Sequence, residues 1–97
     1  MRGTQFAELT AFVAVAEDSS FSKASRRTGV SVTSLSQSVR AMEERLGIKL
    51  LNRTTRHVAL TEAGEDMFGR LRPLLTSLDH VIDASNAFRE RPAGHLR

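Results

Sequence analysis

The sequence contains no cysteine, no tryptophan, no tyrosine and only two prolines among its 97 residues. Without cysteine, the chain can form no disulfide, no thiolate nucleophile and no thiolate metal site, which agrees with a reducing compartment. It also lacks a long hydrophobic run, because no segment approaches the roughly 20 apolar residues that span a bilayer. The start, "MRGTQFAELTAF", has no long apolar run either, so we expect the chain to be unexported. We therefore expect a soluble, cytoplasmic chain with no membrane partner.

The motifs of common enzymes and metal sites are missing too. No glycine-rich phosphate loop and no serine elbow occurs, and the histidines lack the i, i+4 spacing of a helical metal pair. Those histidines are His57, His80 and His95. Glu43 and Glu44 are expected on the exposed side of a helix near Arg40. Three further carboxylates fit the start of the last helix, namely Glu62, Glu65 and Asp66. We expect no catalytic residue, no metal and no cofactor in this part of the protein.

Positive charge is concentrated in the middle of the chain. The net charge is only +3, but residues 22–58 hold eight basic and two acidic side chains, a balance of +6, whereas the first 21 residues carry −2. Such a patch usually marks a polyanionic partner, with nucleic acid ahead of a membrane surface or an acidic protein. A helical face that is merely solvated is the alternative. Length and composition predict one domain with one core.

Helical periodicity is clear in the first half of the chain. An apolar stripe predicts a first helix from about Gln5 to Glu17, after a cap at Thr4. The stripe consists of Phe6, Leu9, Val13 and Ala16, with Phe12 beside them. A short second helix is expected to follow a cap at Ser22, to run to about Thr28 and to close at Gly29.

A third helix is predicted after a cap at Ser31, because Leu35, Val39, Met42 and Leu46 recur at helical spacing before Gly47 stops it. The second and third helices are joined by "TGVS". Two helices connected in this way form a helix-turn-helix.

After Gly47 the pattern becomes extended and then helical again. "IKLLNR" and "HVALT" read as short strands of a wing, separated by "TTR". Thr61 is expected to cap a long last helix, bent at Pro73 and ended by Pro92 and Gly94.

The last helix carries a seam typical of a coiled coil. Its steps of four and three residues pass through Met67, Leu71, Leu74, Leu78, Val81, Ser85 and Phe88. Leucines at this spacing often belong to the core of their own chain. A helix of about 27 residues is about 40 Å long, however, and its far end would face water unless a second chain covered it. We therefore expect a homodimer.

The stretches "FVAVAEDSSFSKAS", "LSQSVRAMEERLGIKLLNRTTR" and "VALTEAGE" resemble the amino-terminal winged helix-turn-helix and linker helix of LysR-type bacterial transcriptional regulators. The resemblance runs from about Phe6 to the end. It implies a mainly α fold with three helices and a two-stranded wing over 1–61, a linker or dimerisation helix over 62–91 and the start of a junction over 92–97. It also implies that a separate effector-sensing domain follows this junction, that any small-molecule effector binds only there, and that the full-length regulator is a tetramer.

The resemblance implies binding of double-stranded DNA by a homodimer on an inverted repeat, and the start of the third helix would enter the major groove. The expected major-groove residues are Val32, Thr33, Ser34 and Gln37. The expected phosphate contacts are Ser22, Lys23, Ser31, Ser36, Arg40, Thr54, Thr55 and Arg56. Arg53 is expected in the adjacent minor groove. For Arg40, pairing with Glu43 or Glu44 is an equal alternative.

Two positions depart from the usual family pattern in ways that matter. Thr28 stands where leucine is common, so its hydroxyl should bond to a backbone carbonyl. Val32 stands where glutamine is frequent, so any readout there must be apolar.

Two other functions remain open from the sequence. The long helix could serve as a coiled-coil protein-interaction module while the basic face is only solvated. The other is single-stranded RNA binding, which is disfavoured because the chain lacks the exposed aromatic side chains on which bases stack. All five aromatic residues are phenylalanines in core or seam positions.

Overall fold

The computed structural model of the chain describes residues 3–54 and 57–89. It contains helices α1 (Gly3–Asp18), α2 (Phe21–Thr28), α3 (Val32–Leu46) and α4 (Glu62–Arg89), with strands β1 (Leu51–Arg53) and β2 (Val58–Leu60) between the last two helices. The strands form an antiparallel pair in which Leu51 faces Leu60 and Arg53 faces Val58. This is the predicted winged helix-turn-helix followed by a long helix.

The core lies where α1 and α3 pack together and β1 closes one side. Its largest fully buried side chains are Phe12, Val15, Val39, Met42, Leu50 and Leu51. The predicted stripe of α1 is confirmed at Phe12 and Val13, which are buried, but wrong at Phe6, which is 39% exposed, and the helix also buries Ala11 and Val15. The helix also begins at Gly3, before the predicted cap at Thr4.

Two of the predicted helix boundaries are confirmed by their caps. The Ser31 hydroxyl accepts from the Ser34 amide at 3.1 Å, and Thr61 accepts from the Gly64 amide at 2.9 Å. Gly29 and Gly47 end α2 and α3 in the left-handed region, at φ 79° and 72°. A residue with a side chain is strained there, which explains why both stops are glycine.

The predicted cap of α2 is wrong. Ser20, and not Ser22, accepts from the Lys23 amide at 3.1 Å and stands in an extended conformation before the helix. Ser22 is instead an exposed residue within α2. The helix therefore begins earlier than the sequence pattern indicated, and Phe21 becomes its first residue.

The wing strands are shorter than predicted, since "IKLLNR" contributes only Leu51–Arg53 to the pair. Thr54 closes the hairpin because its amide donates to the His57 carbonyl at 2.9 Å. Thr55 and Arg56 lie outside the described residues, as do the expected stop at Pro92 and Gly94 and the junction over 92–97.

The first part of helix α4 packs against the domain, and its later part extends away from it. Met67 and Leu71, which were predicted in the intermolecular seam, are partly buried against the core of their own chain, as is Leu75. Beyond Pro73 the helix continues to Arg89, and the molecule is 56 Å long but only 25 and 20 Å in its other dimensions. Within the described ranges, no helix has the length and apolarity to cross a membrane.

Candidate nucleic-acid interface

The first turns of α3 present an exposed surface opposite the core. Leu35, Val39 and Met42 are buried on one side of the helix. The predicted groove residues lie together at its exposed start, namely Val32, Thr33, Ser34 and Gln37. Val32 is 43% exposed, so its isopropyl group is available for an apolar contact. The structure thus brings these four side chains together, although their roles stay predictions.

The electrostatics of this surface favour an anion. Neither α2 nor α3 has an acidic residue in its first turn, so the positive ends of both helix dipoles are left without a compensating carboxylate. Ser22 and Lys23 are exposed in the first turn of α2. The Ser31 hydroxyl oxygen accepts the cap bond from the Ser34 amide, which leaves its proton free, so a phosphate contact by Ser31 would use that proton.

Only part of the basic patch is available to a partner. Arg27 donates to the Asp18 carboxylate at 3.0 Å and to the Ala14 carbonyl at 3.2 Å. Arg45 contacts the buried Glu8 carboxylate at 2.7 Å. In the described part of residues 22–58, the basic side chains that are exposed and form no ion pair are Lys23, Arg26, Arg40 and Lys49.

Glu43 is not on the exposed side of α3 as predicted. Its carboxylate accepts from the Leu50 amide at 2.8 Å and from the Leu51 amide at 3.1 Å. Both of these residues are fully buried. Glu43 therefore fastens the end of α3 to the start of the wing, and the prediction was wrong because the partners of its carboxylate are seven and eight residues away.

The two alternatives for Arg40 are now unequal. Glu43 is committed to the wing amides, and in the described part of the chain Arg40 forms no ion pair with either Glu43 or Glu44. Arg40 is exposed one turn beyond Ser36. The pairing alternative is not observed, and the phosphate contact stays a prediction.

Arg53 points back toward the helices. Its Nη1 donates to the Ser36 hydroxyl at 2.8 Å, and its guanidinium carbon lies 4.7 Å from the centre of the Phe21 ring. The pKa of Arg53 lies below its ordinary value, first because the group is desolvated and then because Arg40 is near, while Glu43 acts in the opposite sense. A minor-groove contact would require the guanidinium to leave this position.

Of the three wing residues predicted to contact phosphates, the structure describes only Thr54. The Thr54 hydroxyl donates to the His57 carbonyl at 3.1 Å and accepts from the His57 amide at 2.9 Å. It is therefore occupied in closing the hairpin. The two other wing residues that were predicted to contact phosphates, Thr55 and Arg56, fall in the gap between the described ranges.

Two structural features had no signal in the sequence. Glu8 is 6% exposed and pairs with Arg45 across 37 positions. Gly64 is buried against the Leu50 carbonyl, with which an added Cβ would overlap. Residue spacing cannot reveal such contacts, because the groups are distant along the chain and meet only when the helices pack.

Residues 6–65 match the family described as bacterial regulatory helix-turn-helix protein, lysR family. The chain belongs to this family. The match covers α1 to the first turn of α4, which is the part of the molecule that holds the candidate interface.

Curated relatives agree with the LysR assignment. The chain is 44% identical over its full length to HTH-type transcriptional regulator PgrR of Escherichia coli K12, of which it spans 32%. It is also 44% identical over 89 residues to HTH-type transcriptional regulator PtxR of Pseudomonas aeruginosa, of which it spans 28%. The chain thus spans about a third of the length of these relatives.

Solved structures with the same fold include both isolated domains and longer proteins. The structure titled BenM_DBD/catB site 1 DNA complex matches with a TM-score of 0.75 and 32% identity, covering 88% of this chain and 94% of the BenM chain. The full-length Vibrio cholerae virulence activator AphB matches with a TM-score of 0.78 and 32% identity, covering 87% of this chain and 28% of AphB.

Proposed function

We propose that this chain is the sequence-specific DNA-binding domain of a LysR-type transcriptional regulator, acting in the cytoplasm. The observation that carries the proposal is the exposed start of α3, where Val32, Thr33, Ser34 and Gln37 stand on one surface with no acidic side chain in the first turn. A helix of this kind fits the major groove of B-DNA. The similarity to the crystal structure of a BenM_DBD/catB site 1 DNA complex supports the same function.

The proposed contacts are of two kinds, those to base edges and those to phosphates. Gln37 can bond to an adenine edge and Val32 can touch a thymine methyl, whereas Ser22, Lys23, Ser36 and Arg40 are suited to phosphates. These groups need no metal and no cofactor, and catalysis has no part in the proposal. Dialysis against a chelator should leave the affinity for duplex DNA unchanged.

We propose that the domain acts as a homodimer through the outer half of α4. Leu74 is 64% exposed, Val81 62%, Ile82 51% and Leu78 39%. Apolar side chains of this size concentrated on one projecting helix would face water in a monomer. Pairing two copies through them would place two recognition helices on the two halves of an inverted repeat.

The test of the proposed function is selection of bound duplexes from a random pool, followed by titration of the best site. We expect an inverted repeat with half-sites about one helical turn apart, or a multiple of it. Binding should weaken steeply with salt, because phosphate contacts release counterions. A chain that binds no duplex, or binds all duplexes equally, would contradict the proposal and favour the interaction-module alternative.

Gln37→Ala and Lys23→Ala are a matched pair for the recognition surface. Gln37→Ala should cost about 1–3 kcal/mol on the best site and relax the preference at one symmetric pair of positions. Lys23→Ala should weaken binding to all duplexes alike and reduce the salt slope by about one unit. Equal losses on every sequence for Gln37→Ala would remove α3 from base recognition.

A further inference from the structure

The Glu17 carboxylate at the end of α1 is shared by two arginines that come from different helices. Its Oε2 accepts from Arg72 Nε of α4 at 3.1 Å, and its Oε1 lies 3.6 Å from Nη2 of Arg27 in α2. Arg27 is itself held by the Asp18 carboxylate and the Ala14 carbonyl. Within the described part of the chain, no other ion pair joins α4 to the first three helices.

Arg72 lies at the point where α4 leaves the winged helix-turn-helix. Leu71 and Leu75, on either side of it, are partly buried against the core, and Leu75 is the last α4 residue in that packed set. Leu74 between them is already 64% exposed. The ion pair to Glu17 therefore stands beside the last apolar contacts that hold α4 to the domain.

The helix itself is weakest in the same two turns. Pro73 has no amide hydrogen, so the Gly69 carbonyl receives no bond from it. Glycine is the poorest helix former after proline, and the open space around Gly69 shows that packing does not require it. The Thr76 hydroxyl donates to the Arg72 carbonyl at 3.1 Å, a bond that tends to bend helices. The backbone of α4 thus resists bending least beside Arg72.

A small rotation at this point has a large effect further along the helix. The stretch from Arg72 to Arg89 is about 25 Å long at about 1.5 Å per residue, so a rotation of about 10° at its base moves its end by about 4 Å. One base-pair step of B-DNA is about 3.4 Å. In a dimer joined through the outer half of α4, the direction of this helix therefore decides how far apart the two recognition helices lie.

Stability alone explains the Arg72 pair poorly. The two side chains are 62% and 33% exposed, and an ion pair so open to water contributes little to folding. Its position is what distinguishes it, since it connects the weakest part of α4 to the ends of α1 and α2. A contact of this kind restrains direction even when it adds little to the free energy of unfolding.

We propose that Arg72 and Glu17 are positioning residues for DNA recognition, whose ion pair fixes the direction in which α4 leaves the winged helix-turn-helix. The pair thereby sets the half-site spacing that the homodimer accepts. This inference rests on the proposed function of a dimer on an inverted repeat. Neither residue touches DNA, and both act through the direction of α4.

The test uses duplexes that carry the selected half-site as an inverted repeat, at the selected spacing and at spacings one or two base pairs longer and shorter. The quantity measured is the ratio of affinities for the best and the altered spacings. A surface ion pair changes an equilibrium constant by about 1.4- to 5-fold, and a dimer has two of them, so Arg72→Gln should reduce this ratio by about 2- to 25-fold. Its affinity for a duplex with a single half-site should be unchanged.

Glu17→Gln should reduce the spacing ratio in the same way, although Arg27 keeps its bond to Asp18. The double variant with Arg72→Gln should lose no more than either single variant, because both substitutions remove the same pair. Arg72→Lys, which keeps the positive charge, should retain most of the wild-type ratio.

Arg70→Gln is the matched control. Arg70 Nε contacts the Asp66 carboxylate at 3.0 Å, four residues earlier on the same helix. The substitution removes the same charge and one surface ion pair from α4, but this pair cannot restrain one element relative to another. Arg70→Gln should therefore keep the wild-type spacing ratio, and urea unfolding should show that all variants are folded at the titration temperature.

A second readout needs no DNA. The chain has no cysteine, so Glu44→Cys, at an exposed position of α3, gives one site for a spin label in each protomer. The label-to-label distance across the dimer should be narrowly distributed in the otherwise wild-type protein. It should broaden with Arg72→Gln and stay narrow with Arg70→Gln.

Three results would overturn the inference: an unchanged spacing ratio for Arg72→Gln, an equal reduction for Arg70→Gln, or an equal loss of Arg72→Gln affinity on the single half-site and on every spacing. The proposed function fails separately. If the wild-type protein is a monomer or binds all spacings equally, the dimer on an inverted repeat is wrong, whereas a wild-type spacing preference that Arg72→Gln leaves intact refutes only the role of the ion pair.

Discussion

Glu43→Ala is expected to destabilise the domain more than the position of Glu43 near a helix end would indicate. The carboxylate accepts from two backbone amides, those of Leu50 at 2.8 Å and Leu51 at 3.1 Å. Both residues are fully buried, so neither amide can readily turn to water when the acceptor is removed. The substitution therefore leaves two orphaned donors in the interior.

The magnitude follows from the value of such bonds. A hydrogen bond to a charged group contributes about 1.5–3 kcal/mol, and two of them would give about 3–6 kcal/mol. Because Glu43 itself is only half-buried, solvent weakens both, and we expect a loss of about 2–4 kcal/mol. For a domain of this size each kcal/mol lowers Tm by about 4–8 °C, so Tm should fall by roughly 8–32 °C.

The measurement is urea unfolding followed by circular dichroism at one fixed protein concentration, since dimerisation would make the midpoint depend on concentration. Glu44→Ala is the matched control, because Glu44 is the exposed neighbour of Glu43 and a surface change of this kind should stay within about 0.5 kcal/mol. Glu43→Gln retains one acceptor oxygen and should fall between the two. A Glu43→Ala variant as stable as Glu44→Ala would refute the fastening of the wing by this carboxylate.

Two further predictions concern α4. Gly64→Ala should destabilise the domain by about 1–3 kcal/mol in urea unfolding, because the new Cβ overlaps the Leu50 carbonyl. Gly69→Ala is the control: Gly69 has open space around it, so this change should stabilise the domain by about 0.5–1 kcal/mol. Equal effects of the two substitutions would contradict the close contact at Gly64. Leu78→Asp should sediment as a monomer, since a carboxylate cannot be buried in the seam without protonation. It should also bind a two-half-site duplex orders of magnitude more weakly than the wild-type protein does. The control, His80→Asp, should remain dimeric. A dimeric Leu78→Asp protein would place the interface elsewhere.

The sequence by itself determined the elements of the fold that depend on neighbouring residues. Ser31 and Thr61 were recognisable as helix starts, and Gly29 and Gly47 as helix stops, because caps and left-handed residues act within about four positions. The same local logic explains the Thr28 hydroxyl, which donates to the Ala24 carbonyl at 2.7 Å as expected. The exposed start of α3 followed from the same helical periodicity.

The predictions from the sequence failed where two local signals were equivalent. Ser20 and Ser22 are both good caps, and only the packing of Phe21 at the start of α2 distinguishes them. A heptad pattern likewise cannot tell an intramolecular from an intermolecular partner. It took the position of the core to show that Met67 and Leu71 pack within the chain while Leu74 remains exposed.

The tertiary structure alone decided the contacts between elements that are far apart in the chain. Glu43 meets the Leu50 amide, Arg53 meets Ser36, and Glu8 meets Arg45, at separations of 7, 17 and 37 residues. Each pair depends on the angle at which a helix or strand lies against its neighbour, which no local spacing encodes. Polar side chains that look solvated in the sequence thus become contacts between elements, since the first two of these pairs join the wing to the recognition helix and the third joins α1 to α3.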